Sequence, residues 1–114
     1  MHYGPTQEAG LHASIPETWF HSTPPTTQTG IRFTQIKYNL VFGSFVGVNH
    51  PGQSTLLGCT LMKNEDIQSF KWLFECFLRC VGGKAPKDIL TDQCASKQRA
   101  IEMCMPTTIH WWYI

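Results

Sequence analysis

Leu40-Val41-Phe42-Gly43-Ser44-Phe45-Val46-Gly47-Val48, then Asn49-His50-Pro51-Gly52-Gln53, then Ser54-Thr55-Leu56-Leu57-Gly58-Cys59-Thr60-Leu61: this stretch decides how the chain folds. Two β-prone apolar runs flank a short polar segment containing Pro-Gly. Proline presets one turn angle and glycine relieves the other, so the stretch predicts an antiparallel hairpin. Both runs are nearly continuously apolar, which predicts burial on both faces and helices covering the sheet. Gly43, Gly47 and Gly58 interrupt them, as happens where another element approaches closely.

Downstream, Ile67, Phe70, Phe74, Phe77, Leu78 and Val81 recur at helical spacing and predict a helix from about Glu65 to Val81. Asn64 is its expected N-cap, with Glu65 and Asp66 placing negative charge at the positive end of the dipole. Gly82-Gly83 ends it and Pro86 prevents continuation. Trp72 falls away from the apolar stripe. Asp88 to Asp92 reads as a buried strand ending on a carboxylate. A helix from about Gln93 to Met103 follows, with Ala95, Ala100, Ile101 and Cys104 as its inner side. Thr107 to Ile114 is β-prone, and Ile31 to Ile36 alternates as a weaker first strand. The predicted order is β-β-β-α-β-α-β, an antiparallel start continued in parallel through crossover helices, which places the chain in the α/β class.

Residues 1–30 differ in character. They carry Pro5, Pro16, Pro24 and Pro25 with a Ser/Thr/Gln run and no sustained period, so a disordered leader is expected there, with residues 31–114 as the domain. The chain has 114 residues, enough for one modest core. Its net charge is +1. Residues 31–114 hold all nine Lys/Arg against six acids, a local +3 without a basic block. That balance argues against autonomous DNA binding and leaves no DNA-binding residue to name. Five cysteines, an odd number without a CxxC pair, read as free thiols in a reducing compartment. Cys76 and Cys80 share a helix face, but no further ligands stand near them. No secretory signal or bilayer-length apolar run occurs, so a soluble intracellular protein without membrane contact is expected.

Lys37-Tyr38-Asn39, Phe45-Val46-Gly47-Val48-Asn49-His50, Gly52-Gln53-Ser54, Leu57-Gly58-Cys59, Asn64-Glu65, Ser69-Phe70, Trp72-Leu73-Phe74, Gly82-Gly83-Lys84, Pro86-Lys87 and Thr91-Asp92-Gln93 occur in that order. Together they resemble the transposase domain of plant Mutator-like elements (MULE). The kin are the far-red-impaired-response related sequences, nuclear transcription regulators domesticated from such transposases. The resemblance covers roughly residues 30–112.

The resemblance implies an RNase H-like mixed sheet. In active members three carboxylates hold two divalent metals, usually Mg²⁺, for phosphodiester chemistry. The first carboxylate lies eight residues before the tyrosine of the Tyr-Asn pair, which here is Gly30, and no Asp or Glu occurs between Glu17 and Glu65. The second matches Asp92. The third lies on a helix after the last strand, so the fold is expected to be truncated before that helix. One carboxylate cannot seat two Mg²⁺ ions, which need anionic ligands arranged around them. Asp92 is therefore expected to be vestigial, capping the following helix through backbone N–H groups.

The family's His-Arg-x-Cys-x-x-His segment corresponds to His110-Trp111-Trp112-Tyr113-Ile114. His110 matches the leading His, while the Cys and the closing His are absent, so no metal site is expected. His50 is expected to be a solvated turn residue. The zinc-dependent DNA-binding domain and the zinc-binding Cys/His segment of full-length relatives fall outside this sequence, leaving no expected cofactor. The resulting expectation is a catalytically inactive, transposase-derived nuclear domain, not an enzyme, that associates with full-length family members or other transcription regulators. The alternatives are a non-functional transposon-derived gene fragment, or a metal-dependent DNA transposase or nuclease whose missing carboxylates come from a partner chain.

Overall fold

The computed structural model describes residues 16–21, 27–48 and 52–113. The elements run β1 (Glu17–Phe20), β2 (Gln28–Gln35), β3 (Val41–Val48), β4 (Ser54–Met62), α1 (Ile67–Cys80), β5 (Asp88–Thr91), α2 (Ala95–Cys104) and β6 (Ile109–Trp112). One six-stranded sheet has the order β1-β4-β3-β2-β5-β6. The predicted hairpin is its centre: β3 and β4 pair antiparallel from Val41 opposite Met62 to Val48 opposite Ser54. Of its turn, Asn49, His50 and Pro51 lie outside the described residues, so the reading of His50 does too. β2 pairs antiparallel with β3 and parallel with β5, and β6 continues parallel to β5. The antiparallel start and parallel continuation are those the sequence predicts, and the fold is α/β.

β2 and β3 are joined by a tight turn at Lys37-Tyr38-Asn39-Leu40. Tyr38 and Asn39 both take φ of 59°, and Leu40 N–H donates to the Lys37 carbonyl at 3.1 Å. Positive φ at both central residues matches the twist of the flanking strands, and asparagine tolerates it.

α1 is capped by Asp66, not Asn64. The Asp66 carboxylate accepts from the Ser69 N–H at 2.9 Å, so the helix starts at Ile67 and Glu65 stays outside it. Its other end is as predicted. Gly82 and Gly83 take φ of 78° and 82°; Gly83 N–H donates to Leu78 O at 2.7 Å and Gly82 N–H to Arg79 O at 3.3 Å. These are the two bonds of a Schellman motif, which needs a left-handed residue after the cap.

Phe45 lies at the middle of the core. Its ring centroid is 5.0 Å from Phe20, 5.3 Å from Phe77 and 6.4 Å from Phe74. Ile31, Val41, Leu57, Met62 and Ile89 from the sheet meet Phe70, Leu73, Phe74 and Phe77 of α1 and Ala100 and Ile101 of α2. Each buried large apolar side chain contributes about 1.5–3 kcal/mol.

Two further expectations are corrected. Among the described residues the sheet is covered on one face only. Along β3, Val41, Gly43, Phe45 and Gly47 are buried under the helices, whereas Phe42, Ser44, Val46 and Val48 on the opposite face are exposed or half-buried. Among the described residues no helix packs on that second face. Continuous apolar sequence did not mean two-sided burial here, because the alternate positions hold apolar residues that stay partly in solvent.

Nor is the stretch before residue 31 without structure throughout. Glu17–Phe20 forms an edge strand pairing antiparallel with β4, and β2 already starts at Gln28. The physical reason is local. At Phe45/Val46 the β3–β4 register shifts, so Leu57 is an extra residue and Gly58 faces β1. A Cβ on Gly58 would lie 2.3 Å from both the Trp19 carbonyl oxygen and the Phe20 ring. Glycine alone lets β1 approach and drop Phe20 into the core. Residues 1–15 and 22–26 lie outside the described residues. No described helix is long and apolar enough to cross a membrane.

Candidate functional site

The candidate site lies at the C-terminal end of β5, where the strand hands over to α2. Thr91 is fully buried at the last position of β5. Asp92 follows, with its side chain 53% exposed. Asp92 does not cap α2. The N-cap is Cys94, which makes no side-chain cap bond. The carboxylate of Asp92 instead accepts from Lys97 Nζ at 2.5 Å.

Lys97 is the residue that sequence reasoning missed. It is 1% exposed, and its ammonium sits 4.0 Å from the Phe33 ring centroid and 5.6 Å from that of Phe70. A buried ammonium needs a counter-charge and donor partners. Here Asp92 supplies the charge and the two aromatic faces supply cation–π contact. The signal was present: Lys97, Ala100, Ile101 and Cys104 fall at i, i+3, i+4 and i+7, so the lysine stands on the inner face of α2. Ala95, expected on that face, is exposed.

The pair determines what Asp92 can do. Its Oδ1 is engaged by the Lys97 ammonium, a cation the protein itself supplies. Gly30, where the resemblance implies the first carboxylate, lies in β2 directly beside Leu90 of β5. Gly30 thus lies on the strand next to the one that ends at Asp92, two positions short of its level, and offers no side chain. Among the described residues no group of three His, Cys, Asp or Glu converges. The residues present do not fit a two-metal centre.

His110 stands in β6 opposite Ile89 of β5. Its Nε2 is 2.7 Å from Thr91 Oγ1, and the Thr91 hydroxyl donates to the Asp92 carbonyl oxygen at 2.8 Å. The hydroxyl has one proton, so Oγ1 accepts from His110 and the imidazole carries its proton on Nε2. Nδ1 is left as a buried acceptor without a partner. Burial pushes the His110 pKa below the usual histidine value; Glu102 and Asp92 oppose the shift and Lys97 adds to it. A cavity of about 370 Å³ opens beside this ring, lined by Gln98, Ile101, Glu102, Met105, Thr108 and Trp112. Thr91, His110 and Asp92 thus form a structural splice between β5, β6 and α2.

All five cysteines are free thiols. Cys76 is buried in α1 and Cys80 is half-buried one turn on. Burial raises the pKa of Cys80, with Arg79 opposing, and that of Cys104, whose thiol donates to the Lys71 carbonyl at 3.7 Å. Raised thiol pKa values are those of unreactive structural cysteines.

The MULE transposase domain family matches residues 32–114. Protein FAR-RED IMPAIRED RESPONSE 1 of Arabidopsis thaliana is 44% identical over 79 residues, which are 68% of this chain and 10% of that protein. Protein FAR1-RELATED SEQUENCE 4 of the same plant is 40% identical over 74 residues, 65% of this chain and 10% of the relative. Protein FAR1-RELATED SEQUENCE 7 is 37% identical over 73 residues, 64% of this chain and again 10% of the relative. The chain therefore spans about a tenth of the length of these relatives. The match starts within β2, takes in the Lys37-Tyr38-Asn39 turn, the hairpin, both helices and Asp92, and identifies the chain as a member of the MULE transposase domain family.

Proposed function

We propose that this domain is catalytically inactive and works by protein association, in the nucleus, alongside full-length members of the far-red-impaired-response family or other transcription regulators. The observation that carries this reading is the Lys97–Asp92 pair. The carboxylate that the resemblance matches to the family's second metal ligand is held by a buried ammonium at 2.5 Å, and the resemblance assigns the first to Gly30, in the neighbouring strand. A site with one of its acids neutralised internally and another replaced by glycine has no arrangement for two divalent cations.

Association is supported by the second face of the sheet. Trp19, Phe42, Leu56, Ile109 and Trp111 are exposed on it, from β1 at one edge to β6 at the other. Apolar surface spread across a whole sheet is characteristic of interaction sites.

The test uses the purified chain and a purified full-length family member in size-exclusion chromatography with light scattering. A complex that weakens with Phe42→Arg, together with no Mg²⁺-dependent nicking of labelled DNA, is the expected result. Nicking that Asp92→Asn abolishes would overturn the proposal.

A further inference from the structure

On the uncovered sheet face, a hollow of about 240 Å³ lies across β2, β5 and the start of β6, lined by Gln28, Gly30, Val48, Asp88, Leu90 and Trp111. Gly30, having no side chain, contributes only backbone to it. A Cβ there would meet only the Tyr113 hydroxyl at 3.5 Å and a backbone oxygen at 4.0 Å, so the floor of the hollow is strand backbone.

Its walls combine one negative charge with an aromatic plane. Asp88 receives Gln28 Nε2 on Oδ2 and Trp111 Nε1 on Oδ1, each at 3.4 Å. Both are long for hydrogen bonds, and each carboxylate oxygen keeps a further lone pair. Among the described residues no lysine or arginine pairs with Asp88. Trp111 is 56% exposed, leaving ring surface accessible beside that carboxylate.

The same face already shows which chemistry it accepts. Arg32 lays its guanidinium over the Tyr113 ring, 4.7 Å from the centroid. A planar guanidinium stacks on an aromatic ring while its N–H groups meet a carboxylate, which an ammonium does less well.

From the hollow, the under-bonded Asp88 carboxylate and the exposed Trp111 ring beside it, we propose that this is a receptor site for an arginine side chain presented by a partner protein. The guanidinium stacks on Trp111 and donates to Asp88, and its methylene stem lies on Val48 and Leu90. The inference rests on the association reading and specifies the residue type that the partner inserts.

The experiment titrates the full chain with N-acetyl-arginine methylamide and follows the Trp111 indole N–H by two-dimensional ¹H–¹⁵N NMR. N-acetyl-citrulline methylamide, of the same shape but uncharged, serves as the comparison on the unaltered protein. The expected result is a saturable shift of the Trp111 signal with the arginine derivative. Citrulline, and the arginine derivative on Asp88→Asn, should bind about fivefold more weakly, the upper range for a half-exposed ion pair. Equal affinity for arginine and citrulline overturns the inference, since the hollow would then be only an apolar recess. Absence of a saturable shift overturns it too. No partner protein enters this titration, so its failure is separate from a failure to form the complex with a family member.

Discussion

Lys97 Nζ lies 2.5 Å from Asp92 Oδ1, with the lysine 1% exposed and the aspartate 53% exposed. The two partners are therefore unequal. Asp92 can return to water if its partner is removed, whereas Lys97 cannot. Asp92→Asn should destabilise the fold by about 2 kcal/mol, because it strands a buried ammonium. Lys97→Met, similar in length and seated between Phe33 and Phe70, should be neutral or stabilising. In the double variant the Asp92→Asn cost should vanish. Urea unfolding of the four proteins measures this cycle directly.

Gly58→Ala tests the attachment of β1. The added methyl would overlap the Trp19 carbonyl and the Phe20 ring, both 2.3 Å from it, and the backbone cannot yield without breaking the β1–β4 ladder. The expected loss is about 1–3 kcal/mol. Amide exchange should localise the damage: Glu17–Phe20 loses protection while β3 and α1 keep theirs.

His110 gives a pH dependence whose sign follows from its environment. Its folded pKa is lowered, mainly by burial, so the unfolded chain binds the proton more readily than the native one. This contribution to stability is present above the unfolded value of about 6.5 and is lost as pH falls below it, levelling off beneath the folded pKa. Glu102 and Asp92 moderate the loss and Lys97 enlarges it. Thermal melts between pH 7.5 and 5 should show a declining midpoint. His110→Gln, which keeps a donor for Thr91 without a titrating group, should flatten that decline.

Asp66→Ala should cost about 1 kcal/mol, the usual loss when an N-cap carboxylate is removed. Asn64→Ala should cost little, since the first helical turn is satisfied by Asp66 and Ser69. Chemical denaturation of the two variants separates these assignments.

Much of this architecture was legible in residue order. The hairpin is within one residue of its predicted limits at each outer end, and Gly82-Gly83 stops α1 by the expected geometry. Both depend on local turn chemistry, which a sequence displays openly. The misreadings share a different origin. Asn64 and Asp66 are both good caps, and only the direction in which α1 leaves β4 selects between them. β1 was hidden because four residues between prolines show no period, and its pairing depends on a glycine some forty residues away. The one-sided sheet was concealed because Phe42, Val46 and Leu56 are apolar without being fully covered. At the site, that residue 30 is a glycine and not an acid was visible, but the partner of Asp92 was not. Its partner comes from the inner face of α2, and a lysine there reads as a solvated residue until the helix is placed against Phe33.

Pairing of Glu17–Phe20 along β4 also separates two kinds of boundary. The family match opens at residue 32, within β2, yet β4 finds its outer neighbour well upstream of that point. A protein trimmed to the matched residues would uncover Gly58–Leu61 on the outer flank of β4, lose the Phe20 ring beside Phe45, and lose Gln28–Gly30, through which β2 pairs with β5. Edges opened in this way recruit strands from other molecules, so the trimmed protein should self-associate, and any oligomer measured on it would report the trimming and not the native surface.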